Sequence, residues 1–113
     1  MKVAIIGSRG LEIDDMEKYI PAGVTEIVSG GAVGIDKCAR KYAIEHKLRL
    51  TEFFPEYKKY KKGAPLKRNL QIIDYADTVI AFWDGKSKGT KFVIDNCRAR
   101  NREIKVIYWL KNK

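Results

Sequence analysis

The segment Ser29-Gly30-Gly31-Ala32-Val33-Gly34-Ile35-Asp36 constrains this chain more than any other stretch. A short strand-like run, Glu26-Ile27-Val28, enters it, and a helix-period run carrying Ile35, Cys38, Ala39, Tyr42 and Ala43 leaves it. The sequence therefore reads as a strand that turns directly into a helix through a glycine-rich corner. Glycine permits the tight turn and lets another group approach the backbone closely. The N–H groups of a helix's first turn have no intrahelical partner, and the helix dipole favours negative charge at that end. Such a corner is a natural seat for phosphate.

The same alternation continues along the chain. Lys2-Val3-Ala4-Ile5-Ile6 predicts a buried strand, and Gly7-Ser8-Arg9-Gly10 a tight loop after it. Asp14 or Asp15 is placed to cap a short helix that carries Met16 and Ile20 on one face and stops at Pro21. The helix after the glycine corner runs from about Gly34 to His46. Arg49-Leu50-Thr51-Glu52-Phe53 alternates, which predicts a third strand at a sheet edge with one side exposed. Glu56-Tyr57-Lys58-Lys59-Tyr60-Lys61-Lys62-Gly63 is basic and aromatic without periodicity, and is expected to be a mobile surface segment. Ala64-Pro65 opens a helix, with proline near its first position and Leu66, Leu70 and Ile73 as its expected apolar face. Asp77-Thr78-Val79-Ile80-Ala81-Phe82-Trp83 is apolar enough to be a central fourth strand. Asp84 to Thr90 reads as a second long glycine- and lysine-rich loop, Phe92, Val93 and Cys97 mark a last helix, and Ile104 to Leu110 a fifth strand before a solvated tail, Lys111-Asn112-Lys113. Strands alternating with helices predict an α/β fold. The expectation is a single Rossmann-like three-layer domain over residues 1–113, with a five-stranded parallel sheet of order 3-2-1-4-5, helices on both faces and right-handed crossovers.

Composition narrows the function classes. A chain of 113 residues with 45% apolar content is that of an ordinary globular domain, not a disordered segment. No apolar run is long enough to span a bilayer, so no membrane partner is expected. The opening run Met1 to Ile6 is too short for a signal-peptide core, which points to the cytoplasm. Cys38 and Cys97 both fall on apolar helix faces and are expected to be buried free thiols. His46 stands alone, so there is no metal-ligand spacing of the zinc type, and no cofactor is implied. The net charge of +9 suits an anionic partner: a nucleotide, a polyphosphate or a nucleic acid.

In a doubly wound sheet, ligands bind at the carboxyl ends of the strands where the strand order reverses, here between the first and fourth strands. Three loops leave carboxyl ends near that crevice: Gly7 to Gly10, Ser29 to Asp36, and Asp84 to Thr90. Each carries glycine and a hydroxyl group, and Arg9, Lys86 and Lys88 add cations. None is a Walker A motif, and no Gly-x-Gly-x-x-Gly follows the first strand, which disfavours triphosphate hydrolysis and nicotinamide dehydrogenase chemistry. Arg68, beside Asn69, is able to grip a phosphate or carboxylate through two parallel hydrogen bonds, or else to lie on a solvated face. Asp36 is open to three roles: general base, acceptor for a ribose, or brace for its own loop. Trp83, at the pocket end of its strand, is placed either to stack on a base or to pack in the core.

These motifs, in this order, resemble the SLOG superfamily, which joins the DNA-processing protein Smf/DprA, the Lonely Guy phosphoribohydrolases and YpsA/YspA-like proteins. Gly7-Ser8-Arg9 resembles the family's first loop, Ser29 to Asp36 its second, Pro65-Leu66-Lys67-Arg68-Asn69 its proline and Arg-Asn signature, and Ser87-Lys88-Gly89-Thr90 its phosphate-side loop. The small YspA-like branch is the most similar. The resemblance implies a Rossmann-like domain that binds a nucleotide or a nucleotide-derived ligand through Gly7, Ser8, Arg9, Ser29, Gly30, Gly31, Ala32, Asp36, Arg68, Asn69, Ser87, Gly89 and Thr90. Lonely Guy enzymes carry a glutamate three residues after the Gly-Thr pair, and this chain has Val93 there, which argues against their N-glycosidic hydrolysis. The leading expectation is a binding or sensing module for a nucleotide-derived phosphate ligand. The alternatives are a nucleoside-phosphate hydrolase with Asp36 as base, and single-stranded nucleic-acid binding through Tyr57 to Lys62 and Arg68. Homo-oligomerisation is left open.

Overall fold

The computed structural model describes residues 1–109. Its first strand, β1 (Lys2–Gly7), is buried on both sides: Val3 and Ile5 serve one hydrophobic core, and Ala4 and Ile6 another. Side chains alternate across a strand, so only a sheet covered on both faces can bury such a run. β1 pairs in parallel with β2 (Glu26–Ser29) on one side and with β4 (Thr78–Trp83) on the other. β3 (Arg49–Glu52) extends the sheet beyond β2, and β5 (Ile104–Tyr108) extends it beyond β4, both in parallel. The order is β3-β2-β1-β4-β5, as the sequence predicts. Ala4 stands opposite Val28 and Val79 in this register, so the central positions of three strands face one core together.

Helix α1 (Ile35–Glu45) covers one face, burying Ile35, Ala39 and Ala43 against Val3, Ile5, Ile27, Ile80 and Phe82. A single helical turn, α2 (Tyr57–Tyr60), precedes α3 (Ala64–Tyr75). α3 and α4 (Lys88–Ala99) cover the opposite face, where Ile72, Ile73, Val93 and Cys97 meet Ala4, Ile6, Val28 and Val79. Among the described residues, no helix is long and apolar enough to cross a membrane.

Several local expectations change. The short helix near Asp15 is a 3-10 turn over Met16–Lys18, and Asp15 makes an ion pair with Lys18 at 3.1 Å but no side-chain capping bond. The segment expected to be irregular is α2 followed by a 3-10 turn at Lys61–Gly63. One turn is too short to display a helical repeat, which is why periodicity missed it. The buried face of α3 is Ala64, Arg68, Ile72 and Ile73, while Leu66 is 44% exposed. The start of α3 overhangs a cleft and not the core, so an apolar residue there gains little and a cation can be enclosed. Gly89 and Thr90 are helical, because α4 begins at Lys88. Cys97 is buried as expected, but Cys38 is half-buried, its Sγ accepting the Ile13 N–H at 3.4 Å. Leu110 and the basic tail lie outside the described residues.

Candidate functional site

β1, β2 and β4 all end at the same edge of the sheet. From that edge the chain passes to α1 on one face and to α4 on the other. A strand order that reverses there opens a crevice, and a cavity of about 380 Å³ occupies it. Ile6 and Ile72 contribute apolar lining. The remaining walls come from four segments: Gly7, Ser8 and Arg9 after β1; Gly30, Ala32, Val33 and Asp36 around the glycine corner; Pro65, Leu66, Arg68 and Asn69 of α3; and Ser87, Gly89 and Thr90 at the start of α4. The four motifs singled out in the sequence therefore meet in one place.

The three long helices, α1, α3 and α4, direct their first turns at this cavity, and none has a side-chain cap among the described residues. α3 adds little to this, since its Ala64 N–H donates to the Lys61 carbonyl and Pro65 has no N–H, so it is the uncapped N–H groups at the starts of α1 and α4 that create a region of positive potential. The charged residues lining the cavity are Arg9, Arg68 and Asp36, a balance of one positive charge.

Arg68 is the centre of the site. Only 8% of it is exposed. Its Nη1 donates to the Gly30 carbonyl at 2.7 Å and to the Phe53 carbonyl at 3.1 Å, and its Nε donates to Asn69 Oδ1 at 2.9 Å. One guanidinium thus ties the ends of β2 and β3 to α3, while Nη2 takes no partner among the described residues. Glycine at position 30 is a steric requirement: a Cβ there would lie 2.6 Å from Arg68 Nη1 and 2.9 Å from Asp36 Oδ2. Gly7 serves the other side of the corner, since a Cβ on it would collide with the Ile35 side chain of α1.

Asp36, half-buried in the first turn of α1, accepts the Ala32 N–H on Oδ2 at 3.1 Å. Burial raises its pKa above the ordinary carboxylate value, and the Ala32 N–H and the nearby Arg68 charge pull in the opposite direction. Burial likewise lowers the Arg68 pKa, with Asp36 opposing. The two side chains flank Gly30 without forming a direct ion pair. Of the three roles open to Asp36, the structure displays the loop brace.

Other expected ligand residues stand behind the wall. Ser29 is fully buried, and its hydroxyl accepts the Gly31 N–H at 3.5 Å. Gly31, at φ +72°, lies under the Phe54 ring, so both residues shape the corner without lining the cavity. Trp83 does not line it either: its Nε1 donates to the Ser87 carbonyl at 3.0 Å, and its ring lies 5.6 Å from that of Tyr108. Lys86 and Lys88 are exposed and outside the lining, and Val93 is buried in the core against β1, β2 and β4. Thr90 is 3% exposed, lines the cavity, and its hydroxyl makes no hydrogen bond to the described residues.

Sequence reading passed over the apolar rim formed by Val33, 63% exposed, and Leu66. Exposed apolar side chains leave no signal in a hydrophobic pattern. It also passed over Asp84, whose Oδ1 accepts the N–H groups of Lys86 and Ser87, each at 2.8 Å. The Asp-Gly pair at 84–85 was the available signal, since aspartate before glycine commonly organises a turn by bonding the backbone that follows. Comparison with protein-family models, with curated proteins and with solved structures found no match.

Proposed function

We propose that this chain binds or senses a nucleotide or a nucleotide-derived phosphate ligand in the cavity, as a SLOG-like domain. The observation that carries this reading is Arg68: a cation more than nine-tenths buried, lining a cavity on which the uncapped starts of α1 and α4 converge, with one guanidinium nitrogen free of partners among the described residues. Enclosing a charge is costly unless it is paired, and two carbonyls and the Asn69 amide oxygen satisfy only part of a guanidinium. An anion supplies the rest. In this reading the phosphate sits against Gly89, Thr90 and Arg9, within reach of Arg68 Nη2, and Asn69 and Asp36 orient the remainder of the ligand. Asp36 is already committed to Ala32, and no second carboxylate, histidine, cysteine, lysine or tyrosine is among the lining residues, which favours binding over hydrolysis.

A thermal-shift panel of nucleotides, ADP-ribose and cyclic dinucleotides tests the reading. A ligand at a hundredfold excess over its Kd stabilises the folded state by about 2.7 kcal/mol. Thr90→Val, which removes a hydroxyl without a partner among the described residues at nearly constant volume, is expected to weaken that shift while leaving the unliganded melting temperature close to wild type. No shift with any phosphate ligand contradicts the proposal.

A second reading, single-stranded nucleic-acid binding, is favoured by the charge distribution. Residues 1–55 carry eight Lys and Arg against eight Asp and Glu, so the whole net charge of +9 falls in residues 56–113, the half that builds α2, α3 and α4. Beside the cavity the Tyr60 ring lies 5.2 Å from Lys59 Nζ and 5.6 Å from Lys67 Nζ, and Tyr57 is 56% exposed. Cations interleaved with aromatic rings suit a phosphate backbone and unstacked bases. This reading requires oligonucleotide affinity that falls steeply with salt. Salt-insensitive binding, or none, counts against it.

A further inference from the structure

We infer that Asp84, which does not line the cavity, is the positioning residue that keeps the start of α4 open to an anion; this rests on the proposed phosphate-binding role of the cavity. Ser87 stands immediately before α4, where a serine commonly turns its hydroxyl onto the N–H groups of its own first turn. Here it does not. Its Oγ lies 2.9 Å from Ser8 Oγ, a hydroxyl on the neighbouring strand end that is only 2% exposed. The rest of Ser87 is held as firmly. Its N–H donates to Asp84 Oδ1, and its carbonyl accepts Trp83 Nε1. Asp84 completes the tie by donating its own N–H to Ser8 Oγ at 3.3 Å. Asp84 thus bonds both members of the serine pair, one through its carboxylate and the other through its backbone.

The consequence lies on the cavity side. With the Ser87 hydroxyl directed to Ser8, the first turn of α4 has no side-chain cap among the described residues, and Gly89 and the almost fully buried Thr90 face the cavity. Loss of the Asp84 carboxylate leaves the Lys86 and Ser87 N–H groups without their acceptor. Gly85, at φ +82°, gives that turn little stiffness of its own. Ser87 is then free to swing its hydroxyl back onto α4 and occupy the groups an anion would use.

Simple electrostatics makes the opposite prediction, which renders the proposal testable by sign. A carboxylate near an anion seat repels the anion, so its removal should tighten binding if charge alone matters. The probes are AMP and inorganic phosphate, titrated calorimetrically into the full chain at fixed salt. Asp84→Ala is expected to weaken AMP binding about tenfold, the loss expected when a charge-assisted hydrogen bond that fixes a binding group is removed. Asp84→Asn keeps an oxygen acceptor and removes the charge, and is expected to bind as well as wild type or better. Ser8→Ala should follow Asp84→Ala. Amide exchange at residues 85–90 should rise in Asp84→Ala but not in Asp84→Asn. If wild type binds neither probe nor any other phosphate ligand, the cavity reading itself fails. If wild type binds and Asp84→Ala binds equally or more tightly, the positioning role is overturned while the cavity reading stands. Weakening by Asn as large as that by Ala also overturns it, because the acceptor alone should suffice.

Discussion

Replacing Arg68 with alanine should destabilise this protein far more than loss of a surface arginine would. The guanidinium is 8% exposed and supplies Nη1 to two carbonyls, Gly30 at 2.7 Å and Phe53 at 3.1 Å, as well as Nε to Asn69. Alanine leaves both carbonyls short of a donor, opens a void beside Ile72, and removes the cation facing half-buried Asp36. Orphaning a buried polar group costs about 1–3 kcal/mol, and alanine orphans the Gly30 and Phe53 carbonyls together. Because these losses overlap, the expected total is about 3–5 kcal/mol. At about 4 °C per kcal/mol for a domain of this size, the melting temperature should fall by about 12–20 °C. Arg68→Lys keeps the charge but can serve only part of the forked geometry, and should recover about half of the loss. The assay is urea unfolding followed by circular dichroism, with melting curves in parallel. A loss below about 1 kcal/mol for Arg68→Ala, within the range of an exposed side chain, would refute the assignment of Arg68 as the tie between β2, β3 and α3.

Other expectations follow from the same geometry. Gly7→Ala places a methyl group into the Ile35 side chain and should cost about 1–3 kcal/mol in urea unfolding; a neutral effect would contradict the close packing of α1 on β1. Asp36 has a folded-state pKa raised by burial, so the native state holds its proton at pH values where the unfolded chain has lost it. Stability attributable to Asp36 therefore falls as pH rises through the interval between its ordinary and raised values. Wild type should gain stability relative to Asp36→Asn as pH drops through that interval, and a pH-independent difference would count against the burial. Cys97 is buried and its thiol pKa is pushed up to about 11, so a thiol reagent near neutral pH should label Cys38 in the native protein and reach Cys97 only on unfolding. Mass spectrometry of the labelled chain reads this directly.

The architecture was legible because each strand advertises its place. Val3 to Ile6 and Val79 to Phe82 are apolar without alternation and became the central strands, while Arg49 to Glu52 alternates and became an edge. That the glycine corner and the Gly89-Thr90 pair line one cavity was legible because loops at strand ends must converge in a doubly wound sheet, whereas Arg68-Asn69 stood out as an Arg-Asn pair opening a helix. What escaped depended on tertiary surroundings. Leu66 was expected inward and Arg68 was open to a surface role, yet the first turn of α3 hangs over the cleft, which reverses their exposure. Trp83 carried no mark of its task, because its indole N–H finds the Ser87 carbonyl only once the loop after β4 has folded back. Ser29 and Gly31 belong to the right segment but face into the corner they shape.

Amide NMR during titration with nucleoside monophosphates and ADP-ribose shows whether the cavity takes a phosphate ligand. If phosphate ligands enter the cavity, saturable shifts concentrate at Ser8, Arg9, Gly30, Ala32, Gly89 and Thr90, with the Arg68 side-chain N–H resonances moving in step. Shifts confined to Tyr57–Lys62, or no saturable shift with any phosphate-bearing ligand, would contradict the proposal.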